Sequence, residues 1–137
     1  MKKPHARRHA VKPAPEKAPA PADNLRALET ARRIATLALD KKASEVVILD
    51  VRGMTSYADY FVVCHGDSER QVSATAEHVF EQLKAAGNSP LGFEGFESGH
   101  WVLLDYGEVV AHFFHADARA FYDLEGLWSD APREKVA

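Results

Sequence analysis

Two short apolar runs, residues 46–49 and 60–64, place the strongest constraint on how this chain folds. β-Branched and aromatic residues fill both runs without alternating with polar ones, which is typical of strands covered on both faces. Only residues 50–59 separate the runs, and so short a connection leaves no room for a helical crossover. We therefore expect two antiparallel neighbours in the middle of a covered sheet.

Helical periodicity flanks this pair of strands. Asp23 and Asn24 are good N-cap residues, and apolar residues follow them at helical spacing, which predicts a first helix. A second helix begins with a capping box at Ser68. We expect the Ser68 hydroxyl to accept a hydrogen bond from an N–H of the first turn, and the Gln71 side chain to accept one from the N–H of Ser68. That helix should end at Gly87, because glycine favours the C-terminal cap.

The second half of the chain predicts three more strands and a closing helix. The helix, over residues 117–128, begins with an acid that suits its N-terminus and would bury one apolar face. The element order α-β-β-α-β-β-β-α predicts an α/β (α+β) fold with a mixed five-stranded sheet flanked by helices. The three strands are expected at residues 91–93, 101–105 and 109–115, and the apolar face of the helix comprises Phe121, Leu124 and Trp128.

Charge and proline content divide the chain into a tail and a domain. Residues 1–22 contain five of the seven prolines and carry six Lys or Arg against one acid, a net charge of +5. We expect them to be a disordered basic Pro/Ala-rich tail, residues 23–130 to form the domain, and residues 131–137 to be a short C-terminal tail. The basic tail is either a plain solubilising extension or an arm that contacts RNA.

Without its basic tail the chain is acidic. Residues 23–137 carry 11 Lys plus Arg against 19 Asp plus Glu, a net charge of −8. A domain of this sign is repelled by a phosphate backbone and attracted to a basic protein surface. The sequence thus favours a basic protein partner over direct RNA binding by the domain.

Neither secretion nor membrane insertion is expected. Cys64 is the only cysteine, so no intrachain disulfide can form, and a lone thiol inside an apolar run suits a reducing cytosol. The apolar runs are far shorter than the ~20 residues of a membrane-spanning helix. We expect a protein of the bacterial cytoplasm, although the basic tail leaves an organelle open.

A turn at Gly66, Asp67 and Ser68 leads from a strand into a helix, where α/β proteins often bind phosphate. A nucleotidyltransferase-like, nucleotide-binding enzyme is therefore the alternative to a binding protein. The turn has a single glycine, and Asp67 would repel an anion. Asp105 and Glu108 flank a turn and cannot share a strand face, as two carboxylates that hold a pair of metal ions must. We expect an ordinary helix cap and no enzyme.

Histidines and the cysteine offer two further kinds of site. His112 and His115 resemble an H-x-x-H pair, but residues three apart on a strand face opposite sides and cannot share a metal ion. Cys64 and His65 are adjacent and also point apart, which disfavours a nucleophile with its base. We predict no metal, no cofactor, no catalytic residue, and a structural thiol at Cys64.

The hairpin around Tyr106 has the composition of a protein-binding edge, with a tryptophan, a tyrosine in the turn and flanking acids. Its turn is expected at Tyr106 and Gly107. Trp101 would lie opposite His112 if the loop has two residues and opposite Ala111 if it has three. The pattern leaves Trp101 equally suited to the core and to an interface.

Several segments together resemble the ribosomal silencing factor (Iojap-related) family. The most specific combination is the hairpin from Trp101 to His112 followed by an ending that contains Arg119, Tyr122, Leu124, Glu125, Leu127 and Trp128. The resemblance covers residues 25–130 and leaves out the basic tail. Further matching segments are residues 58–62, 68–72 and 92–95.

This resemblance implies a nucleotidyltransferase-like fold without the catalytic acids. Members of the family bind the large ribosomal subunit through its fourteenth protein and block joining with the small subunit, which represses translation without catalysis. The family's contact surface maps onto Trp101 as hydrophobic anchor, Asp105 as acceptor for a basic residue, and Tyr106. Homodimers of the free protein, a part in large-subunit assembly, and a contact of the basic tail with ribosomal RNA are further expectations.

Overall fold

The computed structural model describes residues 24–137, which form a six-stranded sheet with helices on both faces. The strand order is β3-β4-β5-β2-β1-β6, in which β2 and β5 pair parallel and the other neighbouring strands pair antiparallel. The prediction of a disordered tail at residues 1–22 lies outside the described residues. The elements are α1 (Leu25–Asp40), β1 (Ser44–Asp50), β2 (Tyr60–Gly66), α2 (Glu69–Ala85), β3 (Gly92–Glu94), β4 (Trp101–Asp105), β5 (Val109–His115), α3 (Ala116–Tyr122), α4 (Leu124–Leu127) and β6 (Arg133–Lys135).

The two apolar runs are antiparallel neighbours, as predicted. Val47 pairs with Val63, and Asp50 pairs with Tyr60. Six of the seven residues of β2 are buried, because β1 and β5 flank the strand in the sheet and helices cover both of its faces. The mixed α/β architecture expected from the element order is therefore confirmed.

Alternation along the strands divides the core into two layers. One layer lies under α1 and α2, and the other lies under α3, α4 and the C-terminal segment. No helix in residues 24–137 is both long and apolar enough to cross a membrane. The first layer includes Ile34, Val62, Val79, Leu104 and Phe113, and the second includes Phe61, Trp101, Phe114, Tyr122 and Trp128.

Both long helices have the predicted caps, with one difference in detail. The Ser68 hydroxyl accepts the N–H of Gln71 at 3.1 Å. The Gln71 side chain accepts the N–H of Asp67 at 2.9 Å, not the N–H of the cap residue itself. At the other end Gly87 adopts a φ of +88°, which suits glycine at a helix C-terminus.

The single closing helix predicted for residues 117–128 is wrong. Asp123 has a φ of +47° and separates α3 from α4, and its carboxylate accepts the N–H of Gly126 at 3.2 Å. The break changes the helical phase, so Tyr122 is buried while Phe121 is 78% exposed. Leu124 and Trp128 are buried as expected.

Residues 131–137 contribute a sixth strand where a tail was expected and five strands were counted. Ile48 of β1 pairs with Glu134, whose carboxylate also binds Arg32 of α1 at 2.9 Å. All three residues of β6 are exposed, so no apolar pattern marks the strand in the sequence. Main-chain hydrogen bonds to β1 define it, and these are available to almost any residue.

Candidate partner-binding surface

The hairpin of β4 and β5 closes one residue later than predicted. The N–H of Tyr106 donates to the carbonyl of Val109 at 2.8 Å, so Gly107 and Glu108 form the turn. Gly107 has a φ of +86°, which few other residues adopt at low cost. Moving the turn by one residue moves the partner of Trp101 by two, from the expected His112 to Phe114, and the Ala111 alternative is also wrong.

Trp101 lies in the core and not on the surface. Its side chain is 1% exposed and packs against Phe114 and Tyr122, with ring centroids 4.8 and 5.0 Å away. The indole Nε1–H donates to Nδ1 of His112 at 3.1 Å, which fixes the tautomer of that buried imidazole. The expectation that Trp101 is an anchor inserted into a partner must be corrected, because the ring has no free face; it supports the hairpin from below.

Asp105 and Tyr106 do reach the surface at the end of the hairpin. Asp105 is partly exposed, and one of its carboxylate oxygens accepts the N–H of Gly107 at 2.8 Å. Within residues 24–137 the other oxygen has no hydrogen-bond donor and is available to a partner. Tyr106 is also partly exposed, and its ring packs against the core layer under α1 and α2. The structure therefore brings together two of the three predicted contact residues.

The hydroxyl of Tyr106 is buried and makes no hydrogen bond with any residue between 24 and 137. Burial raises the pKa of this phenol to about 12, so it stays protonated at neutral pH and remains able to donate. Beside the ring lies a cavity of about 250 Å³ that Arg26, Thr30, Asn88 and Glu108 help to line. Because the hydroxyl is buried, an external group could accept its hydrogen bond only by entering this cavity.

The start of α1 is attached to the turn of the hairpin. The side-chain amide of Asn24 donates to Asp59 at 2.6 Å and to Glu108 at 3.0 Å. Arg26 lies 3.4 Å from the same Glu108 carboxylate, in an exposed ion pair that contributes little to stability. These contacts hold the turn against the helix, so the surface is formed before any partner arrives.

Exposed apolar side chains beside the turn were not singled out from the sequence. Leu91 is 79% exposed and Phe93 is 57% exposed, both at the edge strand β3. The N–H of Leu91 donates to the carbonyl of Asp105 at 2.7 Å, which places this edge next to the hairpin. The only signal available in the sequence was the weak alternation of residues 91–93, which does not say that the strand is at an edge.

The residues that end the family resemblance are mostly structural. Arg119 binds Glu125 through two hydrogen bonds of 2.9 and 3.0 Å, with side chains only 11% and 19% exposed, and donates to the carbonyl of Glu45 at 2.8 Å. Burial by itself would raise the pKa of Glu125, but the hydrogen bond and charge of Arg119 outweigh it and lower that pKa. Trp128 packs edge-to-face on Phe61 at 5.5 Å.

The Gly66 turn lacks the open cradle that a phosphate would need. The Gln71 carboxamide fills the space over the turn and already accepts the N–H of Asp67. A β-carbon at Gly66 would lie 3.0 Å from the Gln71 oxygen, so the small residue serves this packing. The geometry is that of a helix cap, as the sequence favoured.

The other candidate groups have structural surroundings. Cys64 is buried, and burial raises the pKa of its thiol to about 12, so it is a poor nucleophile. His65 contacts Arg119 at 2.9 Å. His112 is in the core while His115 stacks on His100, and residues 24–137 contain no group of three or more His, Cys, Asp or Glu placed to hold a metal ion.

The chain is similar in sequence and in fold to known proteins. Residues 24–137 match the model of a family described as "Ribosomal silencing factor during starvation". The chain is 46% identical over 93 residues to "Ribosomal silencing factor RsfS" of Bacillus subtilis, covering 68% of this chain and 79% of that one. A crystal structure of a protein from Chromobacterium violaceum superposes with a TM-score of 0.73 at 37% identity, covering 80% of this chain and 92% of the other.

A more distant relative has a name that mentions the large subunit. "Mitochondrial assembly of ribosomal large subunit protein 1" of mouse is 28% identical over 114 residues. The match covers 81% of this chain and 50% of the mouse protein.

Proposed function

This chain belongs to the ribosomal silencing factor family, and from that premise we propose that it binds the large ribosomal subunit and prevents the small subunit from joining. Translation regulation is the role that the family name carries, and the bacterial relatives are named as silencing factors and not as enzymes. The mouse relative's name supports an association with the large subunit. The proposed partner on that subunit is its fourteenth protein, as the family resemblance implies.

The contact surface that we propose is the hairpin turn with the adjoining edge of the sheet. The observation that carries the proposal is the contrast between the two ends of the hairpin. Trp101 is fully packed at the base, whereas at the tip Asp105 is partly exposed and the buried Tyr106 hydroxyl, beside a cavity, has no hydrogen-bond partner among residues 24–137. Asp105 is the acceptor for a basic side chain, and Tyr106 supplies an apolar ring with a donor. Trp101 acts through the position of the hairpin and makes no contact of its own.

Charge and volume both support this role. Residues 23–137 carry a net charge of −8, which favours a basic ribosomal protein over the RNA that surrounds it. A folded body of about 115 residues is roughly 30 to 35 Å across. Bound on the face of the large subunit that meets the small one, such a body excludes subunit joining by its volume alone.

Co-sedimentation with ribosomal particles tests the proposal. The purified full chain is incubated with isolated large subunits, isolated small subunits or joined ribosomes at moderate salt and then pelleted. Selective pelleting with large subunits is expected, together with a loss of joined ribosomes when both subunits are mixed in its presence. Equal pelleting with all three particles, or with none, would remove the basis of the proposal.

Two hairpin variants locate the contact. Asp105→Arg should weaken large-subunit binding by about 30-fold, because loss of a central contact costs about 2 kcal/mol. Asp130→Arg makes the same charge change at another exposed carboxylate and serves as its matched control. If both variants weaken binding equally, net charge and not the hairpin is responsible.

Further expectations about assembly belong to the same proposal. We propose a bacterial cytoplasmic location, homodimers when no ribosome is available, and ribosomal RNA contact by residues 1–22. Sedimentation at several protein concentrations tests the dimer. Deletion of residues 1–22 should flatten the salt dependence of subunit binding if those six cations meet phosphates.

A further inference from the structure

An aromatic surface lies at the β3 edge of the sheet, beyond the hairpin. Phe93 of β3 packs edge-to-face on Phe80 of α2 and on Phe96 of the following turn, with ring centroids 5.4 and 5.7 Å apart. Phe80 and Phe96 are partly buried, and Phe93 is 57% exposed. The three rings therefore form a supported apolar wall that is open to solvent on one side.

A concavity of about 430 Å³ opens against this wall, and we call it the edge concavity. It is lined by residues 93–97, which supply two aromatic rings, a glycine and the carboxylates of Glu94 and Glu97. Neither carboxylate forms an ion pair with any residue in the described range 24–137, and the lining contains no Lys or Arg. Its chemistry is apolar surface combined with uncompensated negative charge.

The edge concavity is formed without a ligand. Gly95 has a φ of +93°, and a β-carbon there would collide with the carbonyl oxygen of Trp101, so the turn sits directly on β4. The hydroxyl of Ser73 on α2 donates to the carbonyl of Phe96 at 2.9 Å and holds the turn from the other side. A shape fixed in this way needs little ordering when it binds.

We propose that the edge concavity receives an arginine or lysine side chain from an extended segment of a basic protein partner. Carboxylates bind the cation, and the face of Phe93 or Phe96 attracts it as well, because aromatic rings are negative over their faces. Among residues 24–137, β3 is the last strand of the sheet and no described strand pairs with its outer edge, which suits main-chain pairing with such a segment.

Continuity with the hairpin identifies the kind of partner. The N–H of Leu91 donates to the carbonyl of Asp105, and the side chain of Leu91 lies against Gly107. An apolar strip therefore runs from the hairpin turn to Phe93. A segment that meets Asp105 reaches the edge concavity within a few extended residues. The inference rests on the proposed function in this one respect, that the segment belongs to the same ribosomal partner.

A peptide titration tests the edge concavity apart from the ribosome. The probe is an eight-residue peptide of alternating Arg and Leu, added to the ¹⁵N-labelled full chain and followed by amide shifts. We expect shifts at residues 91–97, binding that is about tenfold weaker in Glu94→Lys, and no change in Asp130→Lys. A peptide with Glu in place of Arg should not bind.

Three outcomes of this titration would overturn the inference. They are no binding, shifts that lie elsewhere, or equal shifts with the Glu peptide. Shifts at residues 91–97 that grow with protein concentration alone would assign the edge to a second copy of this chain.

Large-subunit binding by two matched variants separates this inference from the proposed function. Phe93→Ser should weaken pelleting, whereas Phe121→Ser, which changes an equally large exposed ring on α3, should not. If Asp105→Arg abolishes binding while Phe93→Ser leaves it intact, the hairpin contact stands and the edge contact is wrong. If the wild-type chain binds no subunit, the proposed function fails, and the peptide result alone decides the edge concavity.

Discussion

The two ends of the β4–β5 hairpin differ in burial and in hydrogen bonding. At its base, Trp101 is 1% exposed and bonded to His112, and Phe114 and Tyr122 fill the space around it. At its tip, Asp105 is partly exposed and the Tyr106 hydroxyl has no internal partner in residues 24–137. Both ends belong to the sequence that carries the family resemblance. The difference teaches that a recognisable motif can hold the structural support and the contact in adjacent residues.

The largest effect is expected from removing the base. Trp101→Ala should destabilise the fold by about 3 to 5 kcal/mol, because it leaves a large cavity and a buried His112 without its donor. Denaturant unfolding measures this, with Phe121→Ala on the exposed face of α3 as the control, for which a change within about 0.5 kcal/mol is expected. A Trp101→Ala variant of unchanged stability and lost ribosome binding would place this ring in the interface after all.

Breaking the ion pair under α3 should have the next largest effect. Arg119→Met leaves the carboxylate of Glu125 in a nearly buried site with only the longer contact to Arg133, at 3.6 Å, and should cost up to about 3 kcal/mol. Adding Glu125→Gln to that variant should recover part of the loss, since the remaining buried charge is then gone. Thermal unfolding of the single and double variants measures both steps. No recovery would mean that the contact of Arg119 with the Glu45 carbonyl is the more important one.

Acid should weaken the same region. Burial opposes ionisation of Glu125, but the hydrogen bond and charges of Arg119 and Arg133 prevail and hold its pKa below the usual 4.5. Because the folded pKa is the lower one, ionised Glu125 contributes its full stability above the unfolded pKa of 4.5. That contribution is lost as the pH falls through the folded pKa. Stability should therefore decline below about pH 4.5, and less steeply in Glu125→Gln. Parallel curves for both proteins would show that Glu125 is not responsible.

The smallest effect on stability is expected at the tip. Tyr106→Phe removes a buried hydroxyl that has no partner among residues 24–137, so unfolding stability should change by about 1 kcal/mol or less, in the stabilising direction. Because the pKa of Tyr106 is raised to about 12, wild-type stability should fall as pH rises from 10 to 12, and the variant should lose less. Weaker large-subunit binding by this stable variant would show that the Tyr106 hydroxyl takes part in the contact without supporting the fold. Unchanged binding would show that the hydroxyl takes no part in the contact.

Local rules predicted much of the fold from particular residues. The runs at residues 46–49 and 60–64 predicted their own antiparallel pairing. Their continuous apolar character indicates covered strands, and the connection between them is too short for the crossover that parallel pairing requires. Ser68 and Gly87 marked the ends of α2, because capping depends on the side chain at one position. The candidate site was predicted in part: Asp105 and Tyr106 lie at the turn, whereas Leu91 and Phe93 were not recognised.

Residue types at short spacing were enough to predict which segments become strands and long helices, and residue counts alone give the acidic charge that suits a basic partner. The inward position of Trp101, the break of the closing helix at Asp123 and the addition of β6 to the sheet depend instead on contacts between distant segments, which short-range patterns do not contain. Hairpin register depends on where the turn closes, here with the hydrogen bond between Tyr106 and Val109, because a shift of one residue in the turn moves every cross-strand partner. An edge strand such as β6 is held by main-chain hydrogen bonds that almost every residue can make, so no pattern of side chains marks it in the sequence.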